Sequence, residues 1–332
     1  FAASSDSVPG TNATQITSIW KANTTGTVQY WNNVGGQVAT GDNIFIAPGV
    51  NDNLKLKSQN TELIIDSPVT LASLSGEAAG ATTLTVTNGG SLVVRGNSPL
   101  VSTTGSGSGL TYMDNQIQVG AYGTGPGTHS MVLNVKDGGS IDTGRISLGH
   151  SRASGILNVD GGSVNVDNSF WVGYDGNSYG TGVVNLVSGT IDATNTTVGL
   201  RGPGEINISG GSYNPTGYLR VSSTTSNATE WVNAQGTINV SGGALNLGAD
   251  LYIGYNSATG DTYVANVNVS GGQLNANENT IDVGRISEGI LTISGSGEVN
   301  VVNDNINIGQ VAGASGTLIM NGGTLNMTIE ND

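Results

Sequence analysis

The residue types that could do acid–base chemistry are densest between Asp142 and Arg152. Asp142, Arg145, His150 and Arg152 lie close together in the chain, and Asp160 follows one repeat later. A lyase that acts on uronate polymers needs a basic side chain to remove a proton and a cation to neutralise the sugar carboxylate. Arg145, His150 and Arg152 are therefore the candidate residues for such an activity. The alternative, which we favour, is a solvated surface with ion pairs.

Other motifs of catalysis or metal binding are absent from the sequence. There is no P-loop, no dinucleotide-binding fingerprint, no His-Glu-x-x-His and no nucleophile elbow. Corner sequences such as Asp160-Gly-Gly and Asp167-Asn168 carry oxygen ligands that suit calcium, but the Gly-Gly-x-Gly-x-Asp repeat of calcium-loaded β-rolls is missing. We expect no enzyme activity, no cofactor and no metal site, and we leave structural calcium open.

Aromatic and arginine side chains recur just after a repeated apolar–Gly pair. They include Tyr122, Tyr174, Arg201, Tyr255 and Arg285. If these pairs occupy equivalent corners of a repeat, the side chains form one edge that could stack on sugar rings or on a neighbouring subunit. These five residues are the candidate ligand-binding residues, and ordinary decoration of the corners is the alternative.

A Gly-Gly phrase between two alternating segments is the repeat that must position these residues. It reads Leu157-Asn-Val-Asp-Gly-Gly-Ser-Val-Asn-Val166 in one copy, and successive copies start 22 to 32 residues apart, with a mean of about 26. Alternation predicts short strands with Leu and Val inside and Asn outside. The apolar–Gly pairs end a further strand. The sequence predicts an all-β, single-stranded parallel β-helix, or β-solenoid, with about three short strands per coil of about 26 residues.

The outward Asn at the second position of the repeat forms a column. If the coils stack at about 4.8 Å, identical amides can hydrogen-bond from one coil to the next. The column contains Asn134, Asn158, Asn185, Asn207, Asn239 and Asn268.

Composition excludes several classes of protein. Acidic residues outnumber Lys and Arg by 24 to 10, and the net charge of −14 disfavours nucleic acid as a partner. No apolar run approaches the length of about 18 residues that a membrane span needs. Cysteine is absent, which excludes disulfides and thiolate chemistry. The first residue is Phe1 rather than Met, so we expect a processed chain that is secreted and lies outside the cell or on its surface.

Domain organisation is predicted from departures from the repeat. Residues 1–35 lack the Gly-Gly phrase and are predicted to be an N-terminal cap or strand-exchange segment. Residues 36–332 form the β-helix, with an insertion near 100–130 that is rich in Gly. A bulge or loop is expected where Pro215 interrupts a strand and Ser222 replaces a corner glycine. The candidate assembly residues are Trp20, Tyr30, Trp31, Leu325 and Met327.

From about residue 84 to 332 the repeats resemble those of bacterial autotransporter passengers and related secreted β-solenoid surface proteins. The resemblance implies a surface adhesin, scaffold or fibre component, although some members carry enzymes. We predict a non-enzymatic structural subunit that polymerises head to tail with copies of itself, with cell-surface or matrix glycans as further partners. A carbohydrate-active enzyme or glycan-binding module is the alternative.

Overall fold

The computed structural model describes residues 19–22, 31–32, 36–37, 43–45, 53–56, 61–66, 68–71, 73–76, 80–95, 115–120, 129–150, 153–174, 180–223, 234–255 and 263–329. Every regular element in these ranges is a β-strand, so the predicted all-β class is confirmed. The described part of the chain contains no helix with the length and apolar character needed to cross a membrane.

The strands have these bounds in chain order. They are β1 (Ile19–Ala22), β2 (Trp31–Asn32), β3 (Gly36–Gln37), β4 (Asn43–Phe45), β5 (Asn53–Leu56), β6 (Thr61–Ile65), β7 (Pro68–Leu71), β8 (Ser73–Gly76), β9 (Gly80–Val86), β10 (Ser91–Val94), β11 (Gln116–Val119), β12 (His129–Lys136), β13 (Ser140–Leu148), β14 (Ser154–Val172), β15 (Thr181–Leu200), β16 (Gly204–Ile208), β17 (Ser212–Pro215), β18 (Leu219–Ser223), β19 (Gly236–Val240), β20 (Ala244–Leu247), β21 (Leu251–Tyr255), β22 (Ala265–Val269), β23 (Gln273–Asn277), β24 (Ile281–Val283), β25 (Gly289–Val302), β26 (Ile306–Ile308) and β27 (Gly316–Thr328).

From β5 onward the strands pair with one another in parallel and fall into three ladders. The first ladder runs through β6, β9, β12, β14, β15, β16, β19, β22, β25 and β27. The second runs through β7, β10, β13, β14, β15, β17, β20, β23, β25 and β27. The third runs through β5, β8, β11, β13, β14, β15, β18, β21, β24 and β26. The chain therefore visits the three ladders in the same order on each pass.

Alternation along each strand builds the core. Leu133, Leu157 and Val184 lie in register in the first ladder, and each is completely buried. Along each strand, the side chains that alternate with these buried residues point outward, because successive residues of a strand face opposite sides. Each fully buried aliphatic side chain contributes about 1.5–3 kcal/mol to stability. Stacking residues of the same shape pass after pass therefore gives a continuous narrow core.

Two aromatic side chains are buried in the middle of this core. Phe170 and Tyr213 are completely buried and meet edge to face, with ring centroids 6.3 Å apart and planes at 88°. The Tyr213 hydroxyl shares a hydrogen bond with the Thr196 hydroxyl. Burial raises the pKa of Tyr213 far above its ordinary value, so this phenol stays neutral. Its one polar atom is thus satisfied inside an apolar column.

Tight corners after the third ladder explain the apolar–Gly pairs. Gly173 has φ 76°, a left-handed conformation that favours glycine. A Cβ atom at this position would lie 2.3 Å from the carbonyl oxygen of Pro203. The equivalent glycines also have positive φ; they are Gly120, Gly149, Gly199, Gly254, Gly284 and Gly309.

The predicted bulge near Pro215 and Ser222 is wrong. Pro215 lies in β17 in register with Ala193, and its carbonyl oxygen accepts a hydrogen bond from the Gly248 N–H at 2.8 Å. Ser222 adopts φ 56°, as the corner glycines do. Its buried hydroxyl accepts a hydrogen bond from the Gly236 N–H at 2.8 Å. That bond offsets the strain of a left-handed backbone, so the corner keeps its shape.

The N-terminal strands are arranged differently from the ladders. β1 pairs antiparallel with β4, where Trp20 is opposite Ile44, and with β6, where Ala22 is opposite Leu63. Trp31 lies in β2, which pairs antiparallel with β3. In the predicted insertion near 100–130, β11 is a regular member of the third ladder. Residues 100–114 and 121–128 of the insertion, like Tyr30, lie outside the described residues.

Candidate functional site: an aromatic–arginine strip and an open coil

The outward face of the third ladder carries a line of aromatic and arginine side chains. Register places Trp171 beside Thr197, Thr197 beside Arg220, and Arg220 beside Tyr252. Residues that come after the corner glycines pack against this column. We call the whole set the aromatic–arginine strip; it comprises Arg145, His150, Trp171, Tyr174, Arg201, Tyr218, Arg220, Tyr252, Tyr255 and Arg285, all partly exposed.

The N-terminal half of the strip centres on two stacked rings. Trp171 and Tyr174 lie 4.5 Å apart between centroids, with their planes at 25°. The Arg145 guanidinium lies over Trp171 at 4.4 Å, and His150 packs against Tyr174 at 5.1 Å. Arg201 approaches Tyr174 from the next pass at 6.0 Å. Each cation lies over the electron-rich face of a ring, an arrangement worth about 0.5–1 kcal/mol where it is exposed.

The C-terminal half centres on an arginine held between two tyrosines. The Arg220 guanidinium lies 3.9 Å from the Tyr218 ring centroid and 4.2 Å from the Tyr255 ring centroid. Tyr255 packs against Tyr252 at 5.3 Å. Arg285 lies 5.2 Å from the Tyr252 ring. Stacking fixes the plane of each guanidinium while its N–H edge remains able to bind a carboxylate.

Carboxylates contact the strip at its C-terminal end. The buried Asp282 accepts a hydrogen bond from Arg285 at 2.7 Å and another from Asn307 at 2.8 Å. Asp250 accepts a hydrogen bond from the Tyr252 hydroxyl at 3.0 Å. Burial, aided by this contact, raises the pKa of Tyr252. Burial also lowers the pKa of Arg145 in the N-terminal half.

The predicted acid–base cluster is divided between two faces. Asp142 lies in the second ladder, where Arg95 donates to it at 2.6 Å and also contacts Asp167. The Arg95 hydrogen bonds hold the pKa of both carboxyl groups below their ordinary value. Asp160 accepts a hydrogen bond from Ser188 at 2.7 Å. Neither acid joins Arg145 and His150, which belong to the strip.

Two further candidates, Arg152 and Tyr122, lie outside the described residues. Within the described ranges, no group of three or more His, Cys, Asp or Glu residues is placed to hold a metal ion. Calcium binding through Asn and backbone oxygens stays a prediction.

The sequence prediction missed the part of the strip that precedes the corner. Trp171, Arg220 and Tyr252 stand two residues before the corner residues Gly173, Ser222 and Gly254, whereas the prediction considered only the residues after each corner. Counting back by two from each corner would have found them, because strand period two makes that position point outward. Tyr218 had no comparable signal.

The predicted asparagine column is confirmed, and it runs without a break. Each side-chain N–H₂ donates to the side-chain oxygen of the previous pass at 2.9 to 3.1 Å, from Asn268 back to Asn134. A second amide column, not predicted as such, runs along the second ladder. It consists of Asn326, Asn300, Asn275, Asn246 and Asn214, with Asp192 as the last acceptor, at 2.8 to 2.9 Å.

Within the described part of the chain, no later strand covers the inner face of β26 and β27. Met320 and Met327 are 50% and 52% exposed, although their register partners Ile293 and Val301 are completely buried. Ile308 is likewise 50% exposed. Leu325 is partly buried against the core. We call the surface formed by Ile308, Leu318, Met320, Leu325 and Met327 the open coil.

Comparisons with known proteins give little further guidance. No family model matches the chain, and no curated protein matches it. A solved structure of a hyper-glycosylated fragment of TibA, whose modification is catalysed by TibC, is 15% identical over 83% of this chain and 98% of that chain, with a TM-score of 0.18. Because a TM-score of that size supports no structural argument, function is inferred from the geometry of the chain itself.

Proposed function

We propose that this chain is a non-enzymatic extracellular structural protein, a parallel β-helix with three strands per coil that joins copies of itself end to end. The parallel register of the three ladders supports the winding. Strand pairing at about 4.8 Å per coil gives a rod about 50 Å long. Two amide columns make the rod stiff, because from Asn134 to Asn326 each coil is bonded to the next through side-chain amides as well as backbone.

The single observation that carries the proposal is the repetition of the same parallel pairing in all three ladders from pass to pass. The open coil is the surface on which a further pass would stack. Its apolar residues occupy positions that are buried in the pass before it, as Ile293 and Val301 are. Among the described residues, β27 has a parallel partner, β25, on one edge only. An apolar face beside an unpaired strand edge is a template for another coil of the same kind. A second copy supplies that complement by continuing the ladders.

Head-to-tail contact is the form of assembly that we propose. A heterologous contact of this kind repeats indefinitely and produces filaments rather than closed dimers. In the isolated chain β1 pairs with β4 and β6, so the N-terminal edge of the first ladder is covered. Exchange of β1, which contains Trp20, onto the open coil of the preceding copy would expose that edge and join the two rods.

Sedimentation velocity over a concentration series tests the role of the open coil. The double variant Met320→Glu/Met327→Glu places two charges on the proposed contact. Because both side chains are already exposed, the fold should survive. We expect concentration-dependent large species for the unmodified chain and a monomer for the variant.

Val187→Glu is the matched control, because Val187 is 52% exposed but lies in β15, within the ladders. It should assemble like the unmodified chain. A monomer at every concentration for the unmodified chain, or normal assembly of the double variant, would contradict the proposal.

The polysaccharide-lyase alternative keeps Arg145 and His150 as its candidates. Both lie on the strip beside aromatic rings. Absorbance of unsaturated products from a uronate polymer, with Arg145→Ala and His150→Ala as controls, tests that alternative directly.

A further inference from the structure

We propose that the aromatic–arginine strip binds a linear acidic polysaccharide laid along the axis of the rod. The inference goes beyond the structural role and does not depend on assembly. It rests on three properties of the strip: its direction, its alternation of ring faces with guanidinium groups, and its charge.

The direction of the strip is set by the register of the third ladder. The outward positions run from Ser147 through Trp171, Thr197, Arg220 and Tyr252 to Asp282, one residue for each pass. Trp171, Arg220 and Tyr252 are partly exposed, whereas the other three are buried. At about 4.8 Å per pass this line is about 24 Å long. A ligand that contacts both halves must therefore be a chain rather than a single small molecule.

The groups along this line match the two kinds of surface on an acidic sugar chain. Trp171 and Tyr174 in one half, and Tyr252 and Tyr255 in the other, supply partly exposed aromatic surface. Sugar rings present apolar C–H faces that pack on aromatic side chains, while their carboxylates need paired N–H donors. Arg220 is held in one plane by its two tyrosines, so little conformational entropy is lost when its N–H edge binds.

Charge separates the strip from the rest of the molecule. The net charge is −14, yet four of the ten lysines and arginines of the chain lie on the strip. Arg285 forms an ion pair with Asp282, whereas no described carboxylate forms one with Arg220. The strip is thus a local cationic surface on an acidic protein. An anion is attracted to its guanidinium groups at short range, although the net charge of the whole chain repels it at long range.

Single-stranded nucleic acid has a similar pattern of planar rings and anions. The net charge of −14 opposes both polymers, since each carries a full negative charge at every unit. The strip favours a polyuronate because its carboxylate is attached directly to the sugar ring, so that one unit can meet a neighbouring aromatic ring and guanidinium together, whereas the base and the phosphate of a nucleotide are separated by a ribose. Oligothymidylate is therefore included in the experiment as the competing class.

The test is isothermal titration calorimetry with oligogalacturonate, at about 0.15 M salt, where the Debye length of about 8 Å screens the overall repulsion. Fully methyl-esterified oligogalacturonate has the same backbone without the charge. We expect binding of the acid, no measurable binding of the ester, and much weaker binding of oligothymidylate. Equal binding of the ester or of oligothymidylate, or no binding of the acid, would overturn the proposal.

Variants locate the binding on the strip. Arg220→Gln should weaken the affinity about tenfold or more, because a hydrogen-bonded charge is lost. Arg145→Gln should do the same from the other half of the strip, which covers the case in which loss of Arg220 impairs folding. Tyr174→Ala/Tyr255→Ala should weaken binding by removing ring faces, and melting curves will show which variants remain folded.

Arg95→Gln is the matched control. Arg95 is also a partly exposed arginine, but it is held by Asp142 and Asp167 on the second ladder. Its replacement should leave the affinity unchanged. If Arg95→Gln weakens binding as much as Arg220→Gln, the ligand does not use the strip and the proposal fails.

Discussion

At the scale of single residues, hydrogen bonds between identical side chains connect one pass to the next. Asn207 donates to Asn185 at 3.1 Å and accepts from Asn239 at 2.9 Å. Asn207→Ala breaks both links, although Asn239 still donates to Glu205 at 3.1 Å. We therefore expect a loss of about 1 kcal/mol in the free energy of unfolding. Asn326 has only one such link and is exposed. Asn326→Ala should therefore cost less in the same urea titration, and an equal cost would argue against the column as a source of stability.

The ion pairs of Arg95 give the chain a pH dependence. Asp142 and Asp167 have pKa values below the ordinary 3.8 because Arg95 donates hydrogen bonds to both. Groups with a lowered folded pKa stabilise the fold above the ordinary value, and this contribution is lost as the pH falls through the folded values. The side chains are partly exposed, so the contribution is about 1 kcal/mol or less.

Arg95→Gln should therefore be slightly less stable than the unmodified chain at pH 7. The difference should shrink below about pH 4, as Asp142 and Asp167 gain protons. Parallel urea titrations across this range measure it. A difference that grows toward acid pH would contradict the assignment.

The sequence could predict residues whose role repeats at one fixed place, such as the asparagine column, since period two decides which side chains point outward. It could not predict which partner an outward charge selects. Asp142 and Arg145 are close in the chain, yet one lies in the second ladder and the other in the third. The corner between those ladders separates them, and only the fold reveals it.

At the scale of the element, the corner after the third ladder limits what each pass can tolerate. Gly173 combines φ 76° with a Cβ position 2.3 Å from a carbonyl oxygen of the next pass. Gly89 has nearly the same φ, 74°, but no atom within 4 Å of its Cβ position. Gly89→Ala should cost about 1–2 kcal/mol for its backbone alone. Gly173→Ala should cost clearly more, because the backbone of the neighbouring pass must move, and equal melting temperatures for the two variants would refute the close approach.

Strand composition alone was misleading at β17 and β18. Proline normally disfavours a regular strand, and the absence of glycine normally disfavours a tight corner. Neither expectation holds here. Pro215 keeps its carbonyl bond, and Ser222 compensates for its strained φ with a buried hydrogen bond to Gly236. Neighbouring passes fix the path of the chain strongly enough to override the local preference of one residue.

At the scale of the whole molecule, strand exchange can be tested by locking β1 in place. The chain has no cysteine, so Ala22→Cys/Leu63→Cys creates a single pair at opposite positions of β1 and β6. Adjacent antiparallel strands bring such residues within range of a disulfide. We expect the oxidised variant to stay monomeric and the reduced variant to assemble. Filaments from the oxidised variant would show that β1 does not leave its own chain.

The architecture was more predictable than the contacts at its ends. A repeat carries its pattern many times, so each copy of the Gly-Gly phrase reinforces the prediction of parallel passes. Each end occurs once and has no repetition to support it. The position of β1 against β4 and β6, and the exposure of Met320, are single features that no repeated pattern encodes.

Negative-stain electron microscopy of the unmodified chain over a range of concentrations tests the proposed function most directly. We expect rods about 50 Å long at low concentration. At higher concentration the same rods should join end to end into filaments of constant width. Single rods at every concentration, or rods that associate side by side, would contradict it.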